Sequence, residues 1–328
     1  MADRVCTTCW AWFPPAVSVC PNCGASLTAQ ESALPSSPIP AGHSAARAAD
    51  PRRRAKARHR RGWLLWGLVL SIVAVVSLGI FPAPQLGLWG NPGCTFPGST
   101  CTRVLFIGNS YTSVNDLPAT FADLAWSGGH RVETAALDDG GWTLAQHVSD
   151  PATATALGSE PWNTVVLQEQ SQIPATAVSR TTEMFPAATT LVGMIRDHHE
   201  SPMFYLTFAH RDGYPQVGLP DYASMQEAID EGYLEIAEQL GVPVAPVGDA
   251  WRTVAGEPSA PTLWQADGSH PTAGGTYLAA CVFYAAIFAE SPVGLGDADG
   301  LAAGEAHTLQ SVAASTVFGD PSKWGLAS

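Results

Sequence analysis

Residues 104–112 read VLFIGNSYT, an apolar run that ends in glycine, asparagine and serine. Four consecutive apolar residues predict a buried strand, and the glycine indicates a sharp turn where that strand stops. Ser110 then lies just beyond the carboxyl end of the strand, at the start of a predicted helix. A serine in this position either caps the helix or acts as a nucleophile beneath backbone N–H groups that stabilise an oxyanion. This stretch alone leaves both interpretations open.

The chain beyond residue 102 repeats the pattern, with short apolar runs separated by helical stretches. Such alternation predicts a parallel sheet covered by helices on both faces, with an active site at the carboxyl ends of the strands. We predict helices at 116–127, 181–198 and 222–240, and strands at 104–108, 132–137, 164–168, 203–208 and 242–247.

A base for the serine is present towards the other end of the chain, where residues 267–271 read DGSHP. Asp267 and His270 are three residues apart, so a single turn lets the carboxylate fix the imidazole tautomer and stabilise its charged form. The alternative is that this segment only caps the helix that follows it. A Gly-x-Ser after the first strand together with a late Asp-x-x-His is far more specific than either motif alone.

These two motifs resemble the first and last blocks of the SGNH/GDSL hydrolase superfamily, which contains exported and intracellular esterases and lipases. The resemblance covers about residues 102–290, with Asn109 in place of the usual aspartate of the first block. It implies a flavodoxin-like three-layer α/β/α fold and a catalytic triad formed by Ser110, His270 and Asp267.

The resemblance also implies an oxyanion hole, formed in the family by two backbone N–H groups and an asparagine. Ser110 and Gly141 match the two backbone positions. The third block of the family, Gly-x-Asn-Asp, is missing, because residues 168–172 read QEQSQ. Gln172 takes the place of the asparagine and Gln170 is a second candidate, while a solvated loop is the alternative for both glutamines.

The predicted function is that of a serine esterase or lipase-type hydrolase that needs no catalytic cofactor. O-acyl groups of glycans and envelope lipids are candidate substrates, and Tyr111, Trp142 and Tyr214 either line the substrate site or belong to the core. One alternative is a catalytically inactive binding module of the same fold. Another is a cytoplasmic sensor or adaptor whose exported domain is secondary.

Charge divides the chain into two parts. Residues 1–82 contain nine basic and three acidic residues, whereas residues 83–328 contain seven basic and 26 acidic residues. Nucleic-acid binding depends on cationic groups that neutralise phosphates, so the acidic part is not expected to bind nucleic acid.

Two CxxC pairs near the N-terminus, Cys6 with Cys9 and Cys20 with Cys23, have the spacing of a four-thiolate zinc site. They predict a structural zinc ribbon at residues 1–28, similar to short ribbons of many bacterial membrane proteins, whose partner is unknown. Two disulfides are the alternative, disfavoured in a reducing compartment.

A membrane anchor is predicted from the 19 uncharged residues at 63–81, which are long enough to cross a bilayer core. The basic cluster before them places the N-terminus in the cytoplasm and the rest outside. The predicted segments are a zinc ribbon (1–28), a disordered linker with a basic cluster (29–61), a transmembrane helix (62–82), a juxtamembrane linker (83–101) and an SGNH-like hydrolase domain (102–328).

The remaining cysteines fit this topology. Cys94 and Cys101, seven positions apart on the oxidising side, are predicted to form a disulfide. Cys281 lies in an apolar stretch and is predicted to be a buried structural thiol.

Several other polar residues are weaker candidates. His210 follows the fourth predicted strand, where it either contacts substrate or serves as an alternative base. His147 is predicted to be structural, while His198 and His199 are expected at the opposite end of the sheet. Asp249 either caps the next helix, the favoured interpretation, or lines the pocket. No motif indicates a catalytic metal.

Overall fold

A computed structural model describes residues 4–5, 12–13, 18, 91–94, 100–257, 260–296, 298 and 300–326. The four cysteines of the predicted zinc ribbon, the linker and the predicted membrane span lie outside them. The N-terminal residues that are described form a short antiparallel pair, β1 (Arg4–Val5) with β2 (Trp12–Phe13). None of the helices built from described residues combines the length and apolar character that crossing a bilayer requires.

A five-stranded sheet with only parallel pairings forms the centre of the C-terminal domain, in the order β4-β3-β5-β6-β7. The first strand of the sheet lies between the second and the third, so the chain changes direction across the sheet there. Open α/β sheets bind ligands beside such a switch point, at the carboxyl ends of the strands. The strands are β3 (Thr102–Ile107), β4 (Val132–Leu137), β5 (Thr164–Leu167), β6 (Ser201–Tyr205) and β7 (Val244–Ala245).

Helices connect the strands and follow the last one. They are α1 (Ser110–Ser113), α2 (Leu117–Ser127), α3 (Leu144–Ser149), α4 (Pro151–Leu157), α5 (Ala177–Ser179), a π-helical turn (Arg180–Met184), α6 (Phe185–Asp197), a 3₁₀ turn (Pro215–Val217), α7 (Tyr222–Leu240), α8 (Val247–Ala255), α9 (Ala273–Phe288) and α10 (Ala303–Gly319).

Alternate residues of each strand face opposite layers of helices, as the geometry of a pleated strand requires. On β3, Val104 and Phe106 pack into the core that contains α2 and α9, whereas Leu105 and Ile107 pack into the core that contains α6 and α7. The predicted α/β architecture with a covered parallel sheet is therefore confirmed. Cys281 is fully buried in α9.

Residues 91–94, which precede the first strand of the sheet, are attached to the domain by a disulfide and by hydrogen bonds. Cys94 and Cys101 form a disulfide immediately before β3. Asn91 Nδ2 donates to the carbonyl of Val132 at 2.6 Å, and Arg131 Nη2 donates to the carbonyl of Gly93 at 2.6 Å. These contacts hold the segment against the amino end of β4.

Candidate active site

Ser110 lies at the carboxyl end of β3, as the sequence predicts. It is the first residue of α1, and Asn109 caps that helix by accepting a hydrogen bond from the Tyr111 backbone N–H at 3.1 Å. Because Asn109 fills the capping position, the Ser110 hydroxyl is not used as a cap. It is half-buried and available for other contacts.

The Ser110 hydroxyl contacts His270, which lies 160 residues later in the chain. Ser110 Oγ is 3.0 Å from His270 Nε2, and His270 Nδ1 is 2.7 Å from Asp267 Oδ2. A carboxylate can only accept, so the proton is on Nδ1 and Nε2 is left to accept the serine proton. This is the hydrogen-bonding order of a Ser-His-Asp triad.

Asp267 is held in its ionised form by the turn in which it lies. Its Oδ1 accepts from the backbone N–H groups of Ser269 at 2.9 Å and His270 at 3.0 Å. Burial opposes ionisation, but these bonds and the side-chain bond from His270 outweigh it and lower the pKa of Asp267 below its ordinary value. The carboxylate is therefore suited to orient His270 and to stabilise an imidazolium.

Gln168 fixes the loop that carries Ser110. Its Oε1 accepts from the Asn109 N–H at 2.9 Å and from Thr112 Oγ1 at 3.1 Å, while its Nε2 donates to Asn109 Oδ1 at 3.0 Å. A Cβ atom on Gly108 would collide with the side chains of Gln168 and Thr112. A larger residue at position 108 would therefore force these side chains to shift.

The predicted oxyanion residue Gly141 lies in the loop after β4. Its φ of +75° is in the left-handed region that favours glycine. The next residue, Trp142, accepts a hydrogen bond at its carbonyl from Asn109 Nδ2 at 2.8 Å. This bond ties the loop of Gly141 to the loop of Ser110, at the same edge of the sheet.

Gln170 and Gln172 lie in the loop after β5, and both side chains are buried rather than solvated. Gln170 Oε1 accepts from the Gln172 N–H at 2.8 Å, while Gln172 Oε1 is buried and has no hydrogen-bond partner. Gln172 lines two cavities. One, of about 230 Å³, also includes Thr143, and the other, of about 280 Å³, includes Asp267.

Glu169 is a buried carboxyl group that the sequence did not indicate. Its Oε1 accepts from the Leu144 N–H at 3.1 Å and from the Gln170 N–H at 2.7 Å, while its Oε2 is buried without a partner. Burial raises its pKa to about 8, although the two N–H bonds act in the opposite direction. Glu169 joins the loop after β5 to the first residue of α3, which follows the loop of Gly141.

The histidines that the sequence ranked lower occupy distinct positions. His147 is fully buried and donates from Nε2 to the carbonyl of Gly108 at 2.7 Å, so it supports the loop that carries Ser110 as a structural residue. Burial lowers its pKa. His210 lies at the carboxyl edge and contacts Ser171 Oγ through Nε2 at 3.0 Å. His198 and His199 immediately precede β6, at the opposite end of the sheet.

The predicted capping role of Asp249 is wrong. α8 begins at Val247, so Asp249 lies inside its first turn, and Pro246 occupies the cap position. Asp249 instead forms ion pairs with Arg252 at 3.6 Å and Lys323 at 3.4 Å. Across the residues that the structure describes, no group of histidine, cysteine and acidic side chains could hold a metal ion.

No family model matches the chain, and no curated protein matches it. Solved structures do. A DUF4886 family protein from Bacteroides uniformis is 19% identical, with a TM-score of 0.57 over 67% of this chain and 96% of that one. The solved structures that are similar to the chain include some described as SGNH hydrolases.

Two further similar structures are described as a hydrolase and an esterase. A candidate SGNH hydrolase from Slackia heliotrinireducens is 30% identical over 56% of this chain and 98% of that one, with a TM-score of 0.48. A psychrotrophic esterase, EstA from Pseudoalteromonas sp., is 12% identical over 57% of this chain and 97% of that one, with a TM-score of 0.45. The first of these names the superfamily that the sequence motifs resemble.

Proposed function

We propose that the C-terminal domain is a serine hydrolase that cleaves carboxylic esters, with Ser110 as nucleophile, His270 as base and Asp267 as its orienting acid. The observation that carries the proposal is the continuous hydrogen-bonded series from Ser110 Oγ through His270 to Asp267. Helix capping explains neither contact, because Asn109 and Thr272 fill the caps of the adjacent helices.

The reaction follows from this series. His270 Nε2 takes the Ser110 proton as Oγ attacks the ester carbonyl, and the resulting imidazolium is stabilised by Asp267. His270 then gives that proton to the leaving alcohol, which leaves an acyl group on Ser110. His270 then takes a proton from a water molecule that attacks the acyl carbonyl, and it returns this proton to Ser110 Oγ as the bond to Oγ breaks and the carboxylic acid leaves.

The tetrahedral oxyanion would be bound by the backbone N–H groups of Ser110 and Gly141 and by the side-chain amide of Gln172, with Gln170 as a second candidate for the amide. Gln172 is considered first because, position for position, it takes the place of the family's asparagine, and Gln170 is the second candidate. Loss of one such donor costs on the order of 10²–10³ in kcat. We therefore expect Gln172→Ala to lower kcat by that factor, and a loss below about threefold would reject the assignment.

We further propose that the domain is exported and anchored by residues 62–82, with a zinc ribbon in the cytoplasm. The disulfide between Cys94 and Cys101 supports an oxidising location, where such bonds persist. A reporter fused after residue 90 would test the topology, and activity of a cytoplasmic reporter there would reject it. A zinc content well below one ion per purified chain would reject the ribbon.

The test of the main proposal uses the full chain in mild detergent, with short-chain p-nitrophenyl esters and a fluorophosphonate probe. Wild type should hydrolyse the esters and be labelled, and Ser110→Ala should do neither. Ser113→Ala, which changes the last serine of the same short helix α1, is the matched control and should retain both properties. A folded wild type that neither reacts nor labels would reject the hydrolase and favour the binding module.

A further inference from the structure

Tyr111, which the sequence assigns either to the substrate site or to the core, is a core residue. Only 3% of its surface is exposed, and it belongs to the apolar cluster that contains α2 and α9. It follows Ser110 directly on α1. Because its side chain is enclosed by the protein, any effect of Tyr111 on ester hydrolysis must pass through the residues that it contacts.

The ring of Tyr111 is held by a column of stacked aromatic rings. It stacks on Phe208 with the ring centroids 4.5 Å apart and the planes within 5° of parallel. Phe208 stacks in turn on Trp251 of α8 at 3.5 Å, and both of these rings are fully buried. On another side, the Tyr111 ring makes a T-shaped contact with the imidazole of His270 at 6.0 Å. The column therefore fixes the phenol beside the proposed base.

The Tyr111 hydroxyl hydrogen-bonds the turn that carries the acid and the base. It lies 3.0 Å from Oγ of Ser269, which is 158 residues later in the chain. Ser269 immediately precedes His270, and its backbone N–H donates to Asp267 Oδ1 at 2.9 Å. Burial raises the pKa of Tyr111 above its ordinary value, so the phenol keeps its proton near neutral pH and can both donate and accept. One side-chain bond thus joins α1 to this turn.

This bond is a second connection between the two parts of the proposed triad. The first is the reacting contact itself, between Ser110 Oγ and His270 Nε2. In an acyl-enzyme that contact is lost, because the esterified oxygen of Ser110 has no proton to donate. The bond between Tyr111 and Ser269 includes no reacting atom, so it persists when His270 must activate water.

We propose that Tyr111 is a positioning residue of the hydrolase, whose hydroxyl holds the turn of Asp267 and His270 at the distance from Ser110 that proton transfer requires. The proposal rests on the proposed function, since it concerns the reaction of the same triad. Tyr111 exchanges no proton with the substrate and acts only through Ser269.

The experiment measures kcat and KM for a short-chain p-nitrophenyl ester on the full chain in mild detergent. Endpoint labelling with the fluorophosphonate counts the folded sites, so kcat is expressed per labelled Ser110 and an unfolded fraction does not enter. Tyr111→Phe keeps the stacked ring and removes only the hydroxyl. Its kcat should fall about fivefold, the equivalent of about 1 kcal/mol for one lost hydrogen bond, while its KM should not rise.

Ser269→Ala removes the other partner of the same bond, and its kcat should also fall about fivefold. If both residues act through this bond, the double variant should lose less than half of the product of the two single losses. Part of the effect of Tyr111→Phe remains in the double variant, because the Ser171 side chain also hydrogen-bonds the phenol.

Tyr284→Phe is the matched control. Tyr284 is a buried tyrosine of the same core cluster, in the last turn of α9, and its hydroxyl donates to Glu290 Oε2 at 3.2 Å. Its substitution also removes one buried phenol hydroxyl, but this hydroxyl does not bond the turn of the triad. The kcat of Tyr284→Phe should stay within about twofold of wild type.

Four outcomes would overturn the inference while the hydrolase stands. A kcat of Tyr111→Phe within about twofold of wild type would remove the positioning role, and a KM raised more than about twofold would make Tyr111 a substrate contact. Single losses that multiply in the double variant would separate the hydroxyl from Ser269. An equal loss in Tyr284→Phe would show a general effect of core hydroxyl groups. If wild type neither hydrolyses the ester nor is labelled, the proposed function is rejected and the positioning role with it.

Discussion

Replacing Glu169 by glutamine tests the electrostatics of the loop that follows β5. Oε1 of Glu169 accepts two backbone hydrogen bonds, and glutamine retains an oxygen that can accept both. Its Oε2 is buried without a partner, and the amide nitrogen that replaces it is equally unpaired. The shape of the site and its unsatisfied group are thus nearly preserved, and the main difference is that glutamine cannot ionise.

The magnitude follows from the pKa of this carboxyl group. Burial raises it from its ordinary value of 4.5 to about 8. Between these two values the unfolded chain has lost the proton while the native state retains it, so the native state binds more protons and the free energy of unfolding falls as pH rises. At about 1.36 kcal/mol per pKa unit, the native state should lose about 4 kcal/mol between roughly pH 5 and pH 9 from this group alone.

Urea unfolding followed by tryptophan fluorescence, at about pH 5 and about pH 9, measures this effect. At each pH, the free energy of unfolding of wild type is subtracted from that of Glu169→Gln. Other titrating groups are common to both chains and cancel in this difference. It should rise by about 4 kcal/mol from the lower to the higher pH, so the variant becomes the more stable chain in alkaline solution.

Glu227→Gln controls for the loss of one negative charge, because Glu227 is exposed on α7. Its difference from wild type should change by less than about 0.5 kcal/mol between the two pH values, as is usual for surface substitutions. If the difference for Glu169→Gln is equally independent of pH, then Glu169 does not hold a proton in the native state and our account of its burial is wrong.

Three further predictions concern the nucleophile loop, the triad and the disulfide. Asp267→Asn should lower kcat by a factor on the order of 10³–10⁴, because the wrong tautomer of the His270 imidazole is then favoured. A loss of kcat below tenfold in a stopped assay of ester hydrolysis would contradict this prediction. Gly108→Ala should lower the free energy of unfolding by about 1–3 kcal/mol through its collision with Gln168, and an unchanged urea midpoint would reject the collision. Replacing both Cys94 and Cys101 by serine should lower the free energy of unfolding by about 2–3 kcal/mol, because the disulfide closes a short loop. Equal free energies of unfolding for oxidised and reduced wild type would contradict this prediction.

The parts of the fold that could be predicted are those whose signals are local in sequence. The strand at Val132–Leu137 and the helix at Tyr222–Leu240 have the predicted bounds. The helix is delimited by Asp221, which caps its amino end, and by Gly241 in the left-handed conformation at its carboxyl end. Ser110 could be placed because the apolar run of β3 determines where the strand ends.

Other features depend on residues distant in sequence and could not be predicted. β7 is limited to Val244–Ala245, because Pro246 cannot extend the hydrogen-bonding ladder and α8 begins immediately after it. The structural contact of His147 is with the carbonyl of Gly108, 39 residues earlier. Periodicity and motif spacing contain no information about which side chains meet across the carboxyl edge of the sheet.

The sequence QEQSQ in place of the third family block is the most informative of these cases. The structure shows a connected set of side-chain bonds: Asn109 holds the loop after β4 through Trp142, Gln168 holds Asn109, and Glu169 holds Leu144. Each of the three loops at the switch point is thereby bonded to another, and such bonds preorganise a site that stabilises charge. Replacing one of these side chains by an apolar residue would leave its hydrogen-bond partners unpaired. The carboxyl edge of the sheet is therefore held in this chain by side-chain bonds of Asn109, Gln168 and Glu169.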